Sequence, residues 1–175
     1  MERGYVHIYT GDGKGKTTAA FGLALRAAGA GKRVFVGQFI KDMVYHEVDL
    51  IRKTLPGITI ELFGTGEGCL IDRPGGAEDT RCAEIGLARC REIMLSGGCD
   101  MVILDEVTVA IALELLTEEA VADLIRARPD PVELILTGRR AGQALIDLAD
   151  LVTDCREVKH YYATEGVLAR DGIER

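Results

Sequence analysis

Apolar residues fall along this chain in two alternating patterns. Short dense runs at 5–9, 33–39, 58–63, 101–104, 132–136 and 151–153, several rich in β-branched residues and apolar at consecutive positions, predict strands. Strands of that kind suit a sheet covered on both faces. Between them the spacing changes. Val44, Val48, Ile51 and Leu55 stand at i, i+4, i+7 and i+11, and Val121, Leu124, Ile125 and Arg128, then Ala141, Leu145 and Leu148, repeat the pattern of amphipathic helices with one face for the sheet. A further helix is predicted over 19–28. Thr117 followed by Glu118 and Glu119 marks a helix start with carboxylates at the positive end of the dipole, and Gly31, Gly97 and Gly98 suit helix exits. Alternation of this kind predicts right-handed βαβ units, hence an α/β fold with a mostly parallel sheet between two helical layers, one domain over 1–175. Two segments read as irregular, 64–77 with five glycines and the tail 160–175. At the C-terminal ends of parallel strands such segments usually shape ligand sites.

The 28 acidic and 21 basic residues leave a net charge of −7, which argues against a general nucleic-acid binder, since that needs a basic field to displace counterions. No apolar run of membrane-spanning length and no signal-peptide pattern occurs, so a cytoplasmic protein without membrane association is expected. The five cysteines, Cys69, Cys82, Cys90, Cys99 and Cys155, include no Cys-x-x-Cys pair. They fit a reducing compartment, with four packed as small apolar residues and Cys69 set apart among glycines.

Inside this acidic chain lies a basic island. From position 13 to position 41 there are six basic residues, Lys14, Lys16, Arg26, Lys32, Arg33 and Lys41, and no acidic one. It opens on Thr10-Gly11-Asp12-Gly13-Lys14-Gly15-Lys16-Thr17-Thr18, directly after the first predicted strand and before a helix. Glycines there let backbone N–H groups face phosphate oxygens, the helix terminus adds partial positive charge, Lys16 adds a full one, and Thr17 offers a hydroxyl to Mg²⁺. A strict phosphate-loop pattern needs glycine where Thr10 stands, so an altered loop geometry is expected. A dinucleotide fingerprint starting at Gly11 fails, because Lys16 occupies its third glycine position.

Met101-Val102-Ile103-Leu104-Asp105-Glu106 is an apolar strand ending in two acids, the second element of a nucleotide site, where a carboxylate holds Mg²⁺ directly or through water. Glu106 has two readings, a residue of the metal shell or a general base that activates water on a γ-phosphate. Thr137-Gly138-Arg139-Arg140 follows another predicted strand and offers an arginine that can clamp phosphate.

Taken together, these elements resemble the P-loop corrinoid adenosyltransferases of the ATP:cob(I)alamin or cob(I)yrinic acid a,c-diamide type. The resemblance runs through Gly11 to Ala20, then Arg26-Ala27-Ala28-Gly29, Gln38-Phe39-Ile40-Lys41, Leu104-Asp105-Glu106, Thr137-Gly138-Arg139, Val158-Lys159-His160 and Ala169-Arg170-Asp171-Gly172-Ile173-Glu174. It implies a RecA-like P-loop domain, a homodimer, and transfer of the 5′-deoxyadenosyl group of ATP to the Co(I) of a reduced corrinoid, with release of triphosphate and ATP reversed in the loop. It also implies Mg²⁺, with Mn²⁺ as a substitute, and a flavoprotein reductant as candidate partner. Under it Gly13, Gly15, Lys16 and Thr17 bind the nucleotide's phosphates; Gly11, Asp12, Lys14, Thr18, Arg26, Arg139 and Lys41 join the binding set; Thr17 and Glu106 hold the metal; Lys16 and Glu106 carry catalysis. Segments 38–41 and 64–71 and the tail become candidate corrinoid-facing surfaces. The chain departs from the family pattern where Glu67, Gly68 and Cys69 replace aromatic residues, and where Asp42 replaces a glycine. A RecA-like ATPase or switch and a non-catalytic carrier of ATP or corrinoid are the competing readings.

Overall fold

A computed structural model describes residues 3–41, 44–65 and 75–174. The chain runs β1 (Val6–Thr10), α1 (Lys16–Gly29), β2 (Val34–Phe39), α2 (His46–Thr54), β3 (Ile58–Phe63), α3 (Ala77–Leu95), β4 (Met101–Asp105), α4 (Val107–Ala112), α5 (Glu118–Arg126), β5 (Glu133–Thr137), α6 (Gln143–Leu148), β6 (Leu151–Asp154) and α7 (Tyr161–Glu165). The strands form one six-stranded sheet in the order β3-β2-β4-β5-β1-β6, and every pairing in it is parallel.

The runs that are apolar at consecutive positions are explained by two cores, one on each face. Val34 and Val36 of β2, Met101 and Ile103 of β4 and Ile135 of β5 pack with Ala20, Phe21, Ala24 and Ala27 of α1 and Val48 and Ile51 of α2. Their neighbours Phe35 and Phe39, Val102 and Leu104, and Leu134 and Leu136 point the other way, into a core completed by Cys90 and Met94 of α3, Val107 and Ala110 of α4, and Leu124 and Leu145. Period-two alternation on a sheet buried from both sides produces this result.

Several boundaries differ from the sequence expectation. α1 begins at Lys16, not at 19, because the end of the glycine loop supplies its first turn, with Gly15 at φ 121° as N-cap. Gly31 and Gly97 adopt positive φ as helix exits, whereas Gly98 does not. Thr117 caps α5 as expected, its Oγ1 accepting from the Ala120 N–H at 3.2 Å. α3 carries no strong periodic signal because its buried stripe is Asp79, Ala83, Gly86, Cys90 and Met94, mostly small residues. That stripe permits close approach. A Cβ on Gly86 would lie 2.5 Å from Cγ of Phe63, and one on Gly37 would lie 2.6 Å from Sγ of Cys90. Asp79 fixes the start of α3, accepting from the Gly76 N–H at 2.8 Å and from Thr65 Oγ1 at 3.0 Å. Cys90 and Cys99 are buried, while Cys82 and Cys155 are partly exposed. Cys69, Asp42 and most of the glycine-rich segment lie outside the described residues. β6 is exposed along its whole length at the sheet edge. Among the described residues, no helix is long and apolar enough to cross a membrane.

Candidate active site

The C-terminal ends of β1, β2, β4 and β5 converge on one carboxylate. Asp105, the last residue of β4, is fully buried. Its Oδ1 accepts from Thr17 Oγ1 at 2.8 Å and Thr137 Oγ1 at 2.7 Å, and its Oδ2 accepts from Gln38 Nε2 at 3.0 Å and Lys41 Nζ at 2.8 Å. Four donors match the acceptor capacity of a carboxylate, two to each oxygen. Burial alone would raise its pKa, yet the Lys41 charge and these hydrogen bonds hold it below the ordinary aspartate value. Burial likewise opposes the Lys41 ammonium, and Asp105 outweighs it, leaving Lys41 above the usual lysine value.

The hydroxyl of Thr17 spends its proton on Asp105, so its lone pairs remain for a cation. Glu106 follows in the left-handed region at φ 62°, its N–H donating to Thr137 Oγ1 at 2.9 Å. Burial pushes its carboxyl above the glutamate range, and the Asp105 charge adds to that, against the pull of Lys41, Lys16 and Arg139. Asp105 is thus the residue that orients Thr17, a role the sequence reading did not assign. The signal available was its position, the first charged residue after an apolar run.

The glycine loop is braced from β6. The Cys155 N–H donates to the Thr10 carbonyl, and the Gly13 N–H to the Cys155 carbonyl, both at 2.7 Å. A Cβ on Gly11 would lie 2.1 Å from Oδ1 of Asp154, and Gly11 itself sits at φ 98°. These glycines therefore serve backbone packing as well as any ligand. Thr10 has its own task where a glycine was expected, its Oγ1 accepting from the Ala141 N–H at 3.1 Å and so tying the loop after β5 to β1.

Lys16 is buried, with Nζ donating to the Gly13 carbonyl at 2.6 Å. Burial lowers its pKa, and Glu106 and Asp12 oppose that shift while Arg139 reinforces it. Asp12, Glu106 and Arg139 therefore lie within electrostatic reach of Lys16. Arg139 and Thr18 are exposed, and the Arg139 carbonyl accepts from Thr108 Oγ1 at 2.9 Å. Two expected members stand apart. Lys14 is directed to the tail, its Nζ 2.8 Å from Oε1 of Glu174 and 3.0 Å from the Ile173 carbonyl. Arg26 lies in the last turn of α1, ten residues and roughly 15 Å of helical rise beyond Lys16.

A glycine loop, a buried lysine and threonine at a helix start, and an acidic strand end beside them define a P-loop nucleotide-binding α/β domain. The same fold is seen in a KaiC-like protein of Pyrococcus horikoshii, which aligns with a TM-score of 0.55 at 18% identity over 98% of this chain and 76% of that one. The model of the family described as ATP:corrinoid adenosyltransferase BtuR/CobO/CobP matches residues 2–175, and the chain belongs to that family. It is 38% identical over 181 residues to the corrinoid adenosyltransferase of Escherichia coli K12, covering 99% of this chain and 86% of the relative. A Sinorhizobium corrinoid adenosyltransferase is 35% identical over 175 residues, covering 99% and 81%.

Proposed function

We propose that this chain transfers the 5′-deoxyadenosyl group of ATP to the Co(I) of a reduced corrinoid and releases triphosphate. Family membership supports the reaction, and the convergence of Thr17, Gln38, Lys41 and Thr137 on Asp105 is the observation that carries the site. Co(I) is itself the nucleophile: its electron pair forms the Co–C bond at the ribose 5′ carbon while the C–O bond to triphosphate breaks. The protein need supply no nucleophile and acts by positioning and charge. Gly11, Gly15 and Thr18 offer backbone N–H groups to the phosphates, Lys16 offers its ammonium, and Gly13, its own N–H bonded to the Cys155 carbonyl, shapes the loop and accepts from Lys16 through its carbonyl. Asp12, Arg139, Lys41 and, from farther out, Arg26 complete the nucleotide's surroundings, with Lys14 at its edge.

The donor set suits Mg²⁺, or Mn²⁺ in its place. Thr17 Oγ1, freed by its donation to Asp105, and the Glu106 carboxylate are hard oxygen ligands, as few protein ligands as Mg²⁺ takes when phosphates and waters fill its octahedron. When bound, the cation neutralises charge on the leaving triphosphate. A flavoprotein as electron donor and a homodimer as working unit complete the reading.

The deciding experiment is anaerobic. Protein, ATP, Mg²⁺ and chemically reduced cobalamin are combined, the visible spectrum is followed and the phosphate product identified. Adenosylcobalamin with stoichiometric triphosphate is expected. Lys16→Ala is expected to lower the rate at least ~10²-fold by removing charge from the leaving group. ADP and phosphate formed without corrinoid would identify a hydrolase instead, and binding without turnover a carrier.

A further inference from the structure

Lys14 and Glu174 stand 160 residues apart in sequence and meet at the phosphate loop. The Glu174 carboxylate also accepts from the Arg170 N–H at 2.9 Å, from the Arg170 guanidinium at 3.2 Å and from the Tyr161 hydroxyl. The Arg170 guanidinium lies 4.8 Å from the Tyr161 ring centre, closing a compact knot at the end of the chain. Three residues earlier, Asp171 Oδ1 lies 2.7 Å from His46 Nε2, at the first residue of α2.

These two attachments lie on opposite sides of the site. Lys14 follows β1 and His46 follows β2, and the sheet order puts β5 and β4 between them. At roughly 4.8 Å per strand that is about 14 Å. It is bridged by the hydrogen-bonded turn 170–174 together with the Glu174 and Asp171 side chains and those of Lys14 and His46 that meet them. The turn therefore bridges the segments that follow β1 and β2, the two strands flanking β5 and β4. A cavity of about 250 Å³ remains beside it, lined among others by Gly13, Lys14, Arg156, Lys159 and His160.

We propose that Glu174 is a positioning residue of the nucleotide site, an internal anion that holds Lys14 and straps the tail across the site mouth, and that an incoming polyphosphate displaces it by competing for Lys14. The proposal rests on reading the loop as a polyphosphate site. Its physical basis is substitution of like for like. Lys14 is a loop cation whose ammonium already has an anionic partner, the pairing is exposed enough to exchange, and a polyphosphate brings several negative charges to the same loop. The arginine, the tyrosine and the backbone N–H hold the carboxylate in place for that competition, and α7 contributes no buried residue, so the tail can move without opening a core.

Competition predicts a sign opposite to that of a merely structural contact. Inorganic triphosphate is titrated by calorimetry into the full-length wild type, Glu174→Gln and Glu174→Asp, and hydrogen exchange of residues 168–174 is followed with and without it. Glu174→Gln is expected to bind triphosphate about fivefold tighter than wild type and to lower KM for ATP by more than it changes kcat. Glu174→Asp, which keeps the charge, returns toward wild type. In the wild type, triphosphate speeds exchange in 168–174; in Glu174→Gln exchange is already fast. Equal or weaker binding by Glu174→Gln, or tail exchange in the wild type that stays the same or slows when triphosphate binds, overturns the strap. Failure of wild type and variant alike to bind triphosphate overturns the loop reading itself, and the calorimetry alone separates that result from the others.

Discussion

Asp105 and Glu106 are adjacent carboxylates with opposite titration behaviour, and the difference comes from partners. Asp105 has four donors and stays ionised below the ordinary aspartate value, so it stabilises the fold above its unfolded pKa and that contribution disappears as pH falls through the depressed one. Glu106 is buried beside that charge and binds its proton more tightly folded than unfolded, so its own contribution to stability grows as pH falls through its raised pKa. The ionised form is the one that can serve a cation. Proton and cation compete for that carboxylate, so transfer activity at subsaturating Mg²⁺ is expected to fall on the acid side at a pH above the ordinary glutamate value of 4.5. In Glu106→Gln that limb should vanish, with activity about 10- to 100-fold lower throughout. A pH–rate profile that keeps the same acid limb in the variant would assign the titration to another group. The sequence displayed both acids at a strand end, but not which one has its lone pairs occupied, because three of the four donors come from residues 64 to 88 positions away.

Among the elements, α3 shows how a buried helix can escape a hydrophobicity reading. It meets β2 and β3 through glycine, alanine and cysteine, so close approach replaces large side chains as its means of packing. Gly86→Ala gains about 1 kcal/mol of helix propensity but forces a methyl toward the Phe63 ring, itself 5.7 Å from the ring of Phe39. Overpacking costs about 1–3 kcal/mol, so net destabilisation is expected. Gly22 of α1 is exposed with nothing near its added Cβ, and Gly22→Ala should show the propensity gain alone. Denaturant midpoints moving in opposite directions for the two variants would bear this out; a common direction would not. The strands were legible because long apolar runs need no partner to be recognised, and the glycine loop because its chemistry is contiguous. The order β3-β2-β4-β5-β1-β6 and the bracing of the loop by Cys155 were not, since both depend on which distant strands become neighbours.

At the scale of the whole molecule, the fold gathers the phosphate-loop residues at one end of the sheet and ends the sheet on one side in the exposed strand β6. β6 pairs with β1 along one rim only, and Leu151 and Val152 remain 43% and 40% exposed there. A row of unpaired amide and carbonyl groups beside apolar side chains is a template on which another extended chain can grow. Two aspartates bracket it. Asp150 accepts from the Val6 N–H at 2.8 Å and guards the entry, while exposed Asp154 ends the strand next to the glycine loop. Their negative charge makes stacking one such rim on another repulsive, so they act as gatekeepers against self-templating during folding. Asp154→Val is accordingly expected to raise concentration-dependent light scattering on refolding from denaturant, and scattering indistinguishable from wild type would show that the rim is protected in another way. The residue that borders the nucleotide loop would then be guarding two surfaces at once, one where a ligand is wanted and one where a neighbour is not.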